Sequence, residues 1–140
     1  MMVRDYGKRL VNQHISTHLV INCNRRKYRK MRIVIIIIKR TGGVAILAHP
    51  LLYHLGVEQL QLLIDDLKAA GLDGIEAIYS TYTTGEEQLV KRIAKENNLL
   101  ISGGSDFHGE NKPAIKLGIG RGQLYIPYSV LEAIKIHAGK

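Results

Sequence analysis

A chain of 140 residues, 46% of them hydrophobic, suits one domain that buries roughly two thirds of its unfolded surface. The net charge of +8 is uneven: residues 1–40 hold eleven Lys and Arg against the single acid Asp5, residues 41–140 nine basic against eleven acidic residues, so the basicity belongs to the first segment and argues against a nucleic-acid reading of the whole chain. Cys23, the single cysteine, excludes an intramolecular disulfide and a cysteine zinc cage, and the longest apolar run, Ile33 to Ile38, is far short of the ~20 residues of a membrane span.

The first residues lack the order of a signal peptide, and a reducing, cytoplasmic setting is the default expectation. Residues 1–39 form an atypical basic segment without clear caps, in which the cluster Arg25 to Arg32 runs into the isoleucines. Periodicity does not separate a strand from a buried helix there. From Gly42 onward the punctuation is clear. "VAILA" (44–48), wholly apolar and bounded by Gly42-Gly43 and His49-Pro50, predicts a strand buried on both faces. In "VEQLQLLIDDLKAAG" (57–71), Leu60, Leu63, Ile64, Leu67 and Ala70 recur at helical spacing and Gly71 marks the stop.

"GIEAIY" (74–79) predicts a second strand, and Thr84 with Glu87 a capping box for a helix from Glu86 to Glu96, ended by Asn97 and Asn98. "LLISGG" (99–104) predicts the third strand and "QLYIP" (123–127) a shorter fourth. Ser129 with Glu132 repeats the capping-box pattern ahead of a last helix through His137. No internal repeat is present. Strands alternating with helices of this length mean an α/β fold with a parallel sheet, open or curved toward a barrel. Its ligand side is the carboxyl end of the strands. His49 follows the first strand, Ser80 and Thr81 the second, Asp106 and His108 the third.

Imidazole nitrogen and carboxylate oxygen together bind Zn, Mn or Fe. Asp106 and His108, one residue apart on a loop, can converge on one ion, with His49 as a third ligand from a neighbouring strand end. A dication held there polarises a phosphoryl oxygen and acidifies a bound water, the chemistry of phosphoester hydrolysis. Asp106 is then also the candidate catalytic carboxylate, bridging a second metal or taking a proton from that water. Gly103 and Gly104 would let the backbone approach the ion or substrate. The competing reading makes His49 a packed or surface histidine and gives Ser105 and Asp106 a turn or cap role.

His14 and His18 stand four apart without the glutamate of the zinc-protease pattern and read as incidental. "GIGRG" (118–122) lacks the full dinucleotide fingerprint and reads as a turn into the last strand. Arg121, Lys112 and Lys116 read as solvated loop charges that can also meet a phosphate. His54 and His137 suggest no role.

Taken together, "GGVAILAHP", "GLDGIEAIYSTYT", "ISGGSDFHG" and "LGIGRG...IPYSVLEAIK" resemble the C-terminal half of the PHP (polymerase and histidinol phosphatase) family, in its branch of metal-dependent phosphoesterases acting on nucleotides and short RNA. The resemblance covers about residues 40–137, so that 40–140 is set apart as the C-terminal part of a PHP domain. It implies a distorted (β/α) barrel with a cluster of up to three metal ions (Mn, Zn, Fe or Mg) at its strand ends. On that resemblance His49 matches a metal-binding histidine, and Asp106 and His108 match the pair that closes the cluster.

The family's opening His-x-His strand, its Thr-Asp-His type motif and its glutamate-bearing strand have no counterpart in the first 40 residues. The resemblance therefore implies an incomplete copy, weakly active or inactive, a truncated or frame-disrupted remnant. A missing half-barrel would expose strand edges, which implies self-association. The reading of a different class is a basic nucleic-acid-binding module, in which Arg25 to Arg32 grip phosphates and Tyr28 stacks. The third is a catalytically dead fragment. No membrane partner is expected.

Overall fold

The computed structural model describes residues 25–139, which form two compact units divided between Asp73 and Gly74. The first holds helix α1 (Arg25–Arg40), the two-residue strand β1 (Ile46–Leu47), a 3-10 turn (Pro50–Tyr53) and helix α2 (Val57–Ala69). His14, His18 and Cys23 lie outside the described residues, as do the side chains of residues 25–28.

The isoleucine block is helical although β-branched residues lose side-chain freedom in a helix. Met31, Val34, Ile35 and Ile38 recur at spacings of three and four and share one face. Met31 and Ile35 are buried, and α1 packs on α2, whose Leu60, Leu63, Ile64 and Leu67 are also buried. Each such side chain contributes roughly 1.5–3 kcal/mol by leaving water, enough to override the weak propensity. Docking selects helix over strand.

Two ion pairs support the docking. Arg32 meets Asp66 at 3.0 Å, so one charge of the basic cluster is already answered within the fold. Lys39 Nζ donates to both oxygens of Asp73, at 2.6 and 2.8 Å, and the same carboxylate accepts from the Ala45 N–H at 2.7 Å. The Asp73 N–H returns a bond to the Ala45 carbonyl at 2.9 Å. These bonds engage the backbone just before β1, and at its other end His49 turns out of extended conformation at φ 28 ahead of Pro50. The strand expected over 44–48 therefore shrinks to Ile46–Leu47. α2 stops where expected, with the Leu72 N–H bonded back to the Leu67 carbonyl at 3.1 Å across Gly71.

The second unit holds β2 (Gly74–Tyr79), α3 (Thr84–Glu96), β3 (Leu100–Gly104), a 3-10 turn (Gly109–Asn111) and α4 (Tyr128–His137). β2 and β3 pair in parallel, Gly74 opposite Leu100 and Tyr79 opposite Gly104, with a register break between Glu76 and Ile78 that leaves Ala77 as the extra residue. α3 packs on both strands and α4 on β3. Every β2 residue but Glu76 is buried, as a parallel strand covered on both faces requires. Ile75, Ile78, Val90, Ile93 and Val130 form the core.

Three local expectations are corrected. The capping box lies one residue earlier than predicted, because Thr83 is the last extended residue and Thr84 is already helical. Thr83 Oγ1 accepts from the Glu86 N–H at 3.3 Å, and Glu86 Oε2 accepts from the Thr83 N–H at 2.7 Å. Those Thr83 bonds hold the Glu86 carboxyl below its usual range. α4 has no box from Ser129 and Glu132: Pro127, at φ −60 and ψ 143, is the N-cap and makes no side-chain cap bond. "QLYIP" forms no strand. Its start is tied into a turn, with the Gly122 and Leu124 N–H groups both directed to the Ile119 carbonyl.

The glycines that end β3 are explained by packing. A Cβ on Gly103 would stand 2.9 Å from Ile78 Cβ and 3.0 Å from Ile126, and one on Gly104 would stand 2.6 Å from Glu76 Oε1. Protein side chains, rather than an ion or substrate, fill the space expected for close approach. Gly103→Ala should cost about 1–3 kcal/mol by overpacking. Urea denaturation of this variant beside the parent checks this, and an unchanged midpoint would refute the packing account.

Candidate functional site

Beyond β3 the chain turns at Asp106, whose φ of 60 is unusual outside glycine and best tolerated by Asp and Asn. This sends its half-buried carboxylate toward the end of β2. Oδ2 accepts from the Tyr79 hydroxyl at 2.7 Å and forms a short ion pair with Lys112. His108 Nδ1 lies 2.7 Å from the Asp106 carbonyl oxygen and 3.4 Å from its Oδ1. A carbonyl only accepts, so Nδ1 carries the proton and the lone pair of the neutral ring sits on Nε2. Metal-ligating histidines are commonly oriented in this way.

Burial pushes the Asp106 pKa up, but the bonds from Lys112 and Tyr79 and the nearby charges of Lys112 and His108 outweigh it and hold the carboxyl below its usual range. The acid thus stays ionised across neutral pH. Its contribution to folding is present above the ordinary carboxylate pKa and is lost as pH falls through the lowered one. Tyr79 moves the other way, pushed well up by burial, by its bond to Asp106 and by the negative charge of Asp106 and Glu76. Tyr79 remains a proton donor to the carboxylate.

Ser105 is buried and joins three segments. Its carbonyl accepts from the Ser80 hydroxyl at 2.7 Å, and its Oγ accepts from the Gly118 N–H at 3.3 Å. The turn role weighed for Ser105 is therefore real. Together with Thr81, Ser80 lines a cleft with Arg121, Gln123 and Leu124. Lys116 pairs its backbone with Gly120 while its side chain is exposed.

In the first unit, His49 is buried two residues beyond β1 and meets the Tyr53 ring edge-on at 6.3 Å between centroids. Tyr53 in turn donates to the Ala48 carbonyl at 2.8 Å. Like Asp106, His49 has a positive φ, a conformation that costs energy and recurs at functional sites. His54 is exposed, and His137 closes α4.

The second unit therefore brings Asp106 and His108 together. Sequence reasoning missed Tyr79, although its place at the end of a strand parallel to "LLISGG" puts it beside the loop. It also read Lys112 as a solvated charge, whereas Lys112 sits on Asp106. Among the described residues no three His, Cys, Asp or Glu side chains stand as a metal-holding group. The pair nonetheless fits a dication as a two-donor half-site: an ionised carboxylate already paired with a cation, and an imidazole whose tautomer leaves Nε2 as donor.

No family model matches the chain. Over 71 residues it is 45% identical to a 5'-3' exoribonuclease of Haemophilus influenzae, covering 51% of this chain and 26% of that one. Over 77 residues it is 34% identical to a 3',5'-nucleoside bisphosphate phosphatase of Chromobacterium violaceum, covering 55% and 27%. A solved structure from Bifidobacterium adolescentis, assigned as a metal-dependent phosphoesterase, matches with a TM-score of 0.56 at 32% identity, covering 76% of this chain and 36% of that one. Over the matched residues this chain resembles metal-dependent phosphoesterases of the PHP family.

The chain spans about a quarter of the length of these two curated relatives. Its α/β architecture is that of the PHP-type barrel over the shared part. The Tyr79 and Asp106 contact lies at the carboxyl ends of parallel strands, where such folds place their chemistry. No helix among the described residues is long and apolar enough to cross a membrane.

Proposed function

We propose that this chain carries part of a metal-dependent phosphoesterase that hydrolyses phosphoesters of nucleotides or short oligonucleotides. The observation that carries the reading is the Asp106–His108 pair, with the carboxylate held ionised and the imidazole held in the metal-binding tautomer. Asp106 and His108 would hold a divalent ion. When bound, that ion supplies Lewis acidity toward a phosphoryl oxygen and makes a water acidic enough to attack phosphorus.

The chain's own residues prepare the site. Tyr79 and Lys112 fix the Asp106 carboxylate, which is the proposed catalytic group. The Asp106 carbonyl orients His108, and Ser80 and Ser105 tie the loop to β2. The single cysteine supports a cytoplasmic setting. Residues 1–39 are proposed to stand outside the PHP part.

Two protein donors among the described residues of the second unit are few for a multi-ion centre, so the isolated chain should hold at most one divalent ion, loosely, with weak turnover. The test is metal analysis of the purified protein beside hydrolysis of adenosine 3',5'-bisphosphate and a short oligoribonucleotide, with and without added Mn²⁺. Slow hydrolysis that requires the ion supports the reading. An inert protein that takes up no ion overturns it, and two or more tightly held ions with rapid turnover overturn the partial-site account.

A further inference from the structure

"GIGRG" lacks a dinucleotide fingerprint, yet the fold constructs this loop with some care. Lys116 and Gly120 exchange both backbone hydrogen bonds, each 2.9 Å, and the Gly118 N–H is held by Ser105 Oγ. Gly120 has φ 58 and lies so close on the Ser80 side chain that no Cβ fits there. The loop is thus seated on the end of β2. Its one charged side chain, Arg121, lines a cleft of about 340 Å³ with Ser80, Thr81, Gln123 and Leu124.

The chemistry of that lining is selective. No acidic residue contributes to it. The Ser80 hydroxyl proton is committed to the Ser105 carbonyl, so the donors left for a ligand are the Arg121 guanidinium, the Thr81 hydroxyl and the Gln123 amide. A planar cation beside neutral donors matches phosphate oxygens, which a guanidinium grips through paired N–H groups. Leu124 adds apolar surface for a sugar or base. The volume is at the small end of ligand sites, enough for a phosphate and part of its nucleoside.

The cleft also adjoins the candidate metal pair, because Ser80 bonds to the carbonyl of the residue immediately before Asp106. We infer that the cleft formed by Arg121, Thr81 and Gln123 is a binding subsite for a nucleotide phosphate other than the one hydrolysed, held beside Asp106 rather than on it. The substrate class rests on the phosphoesterase reading. The subsite itself needs no metal.

Isothermal titration of the full chain in EDTA at low ionic strength tests it. The ligands are adenosine, adenosine 5'-monophosphate, and adenylyl-adenosine with and without a 5'-phosphate. Monophosphate should bind about tenfold more tightly than adenosine, one charge-assisted contact being of that order. Arg121→Ala should erase the difference and Thr81→Val should reduce it. Tighter binding of unphosphorylated adenylyl-adenosine than of adenosine, lost with Arg121→Ala, would identify an internal phosphodiester as an occupant; its absence would confine the site to terminal phosphates. Equal affinity of the parent for adenosine and its monophosphate, or an Arg121→Ala protein that binds like the parent, would overturn the inference. Failure of the metal reading appears separately, in the metal analysis, since EDTA removes the ion from this experiment.

Discussion

Asp106→Ala should lower the affinity of the chain for Mn²⁺ at least tenfold and abolish whatever phosphoester turnover it has. Altering a group that only orients a metal ligand already costs 10–100-fold, and a charged ligand contributes more. The substitution also removes the acceptor of the Tyr79 hydroxyl and the partner of Lys112, so a lowered melting temperature alone would prove nothing about metal. Lys112→Ala separates the two roles because its sign is opposite. An ion arriving at Asp106 must displace the ammonium group, and removing that competitor should tighten Mn²⁺ binding several-fold while weakening the apo fold slightly. The gain stays modest because Lys112 is 44% exposed and its pair is screened by solvent. If titration gives Asp106→Ala the same affinity as the parent, the carboxylate is not a ligand.

Asp73→Ala should be the most destabilising polar substitution in the first unit, at about 2–3 kcal/mol. The Asp73 side chain is 8% exposed and accepts from Lys39 and from the Ala45 N–H. Its removal strands a backbone donor and a partly buried ammonium group. The end of α1 and the start of β1 lose their shared anchor. Arg32→Ala breaks an exposed pair on the same helix and should cost less than ~1 kcal/mol. Urea midpoints of the two variants provide the comparison, and similar losses would show that burial of Asp73 does not matter.

The strands and helices from Val57 to Glu96 were legible in the sequence because each has one dominant cue. Leu60, Leu63, Ile64 and Leu67 mark a buried stripe, "GIEAIY" is bounded by glycine and serine, and paired asparagines close α3. Where several residues of one type adjoin, the choice is made by backbone conformation or tertiary contact. Thr83 and Thr84 are equivalent as text, and only the extended conformation of Thr83 makes it the cap. "QLYIP" has strand-like composition, but Ile126 packs where Gly103 lacks a side chain. At the site, Asp106 and His108 were legible as a pair. Tyr79 and Lys112 were not, since 27 and 6 residues separate them from Asp106 and only the fold closes those distances.

The isoleucine block of α1 has a further consequence for how this chain fails. Ile33 to Ile38 contains no charge, proline or glycine, and its intrinsic preference is for extended backbone. It is helical because α2 covers one face, while Ile33 and Ile37 on the other remain more than half exposed. Release of α1 would therefore convert it from an amphipathic helix into a six-residue strand former with both edges open. Such segments template cross-β stacking. Conditions that loosen the Asp73 anchor would thus drive the chain toward fibrillar aggregates before the second unit melts, and recovery on cooling would depend on protein concentration.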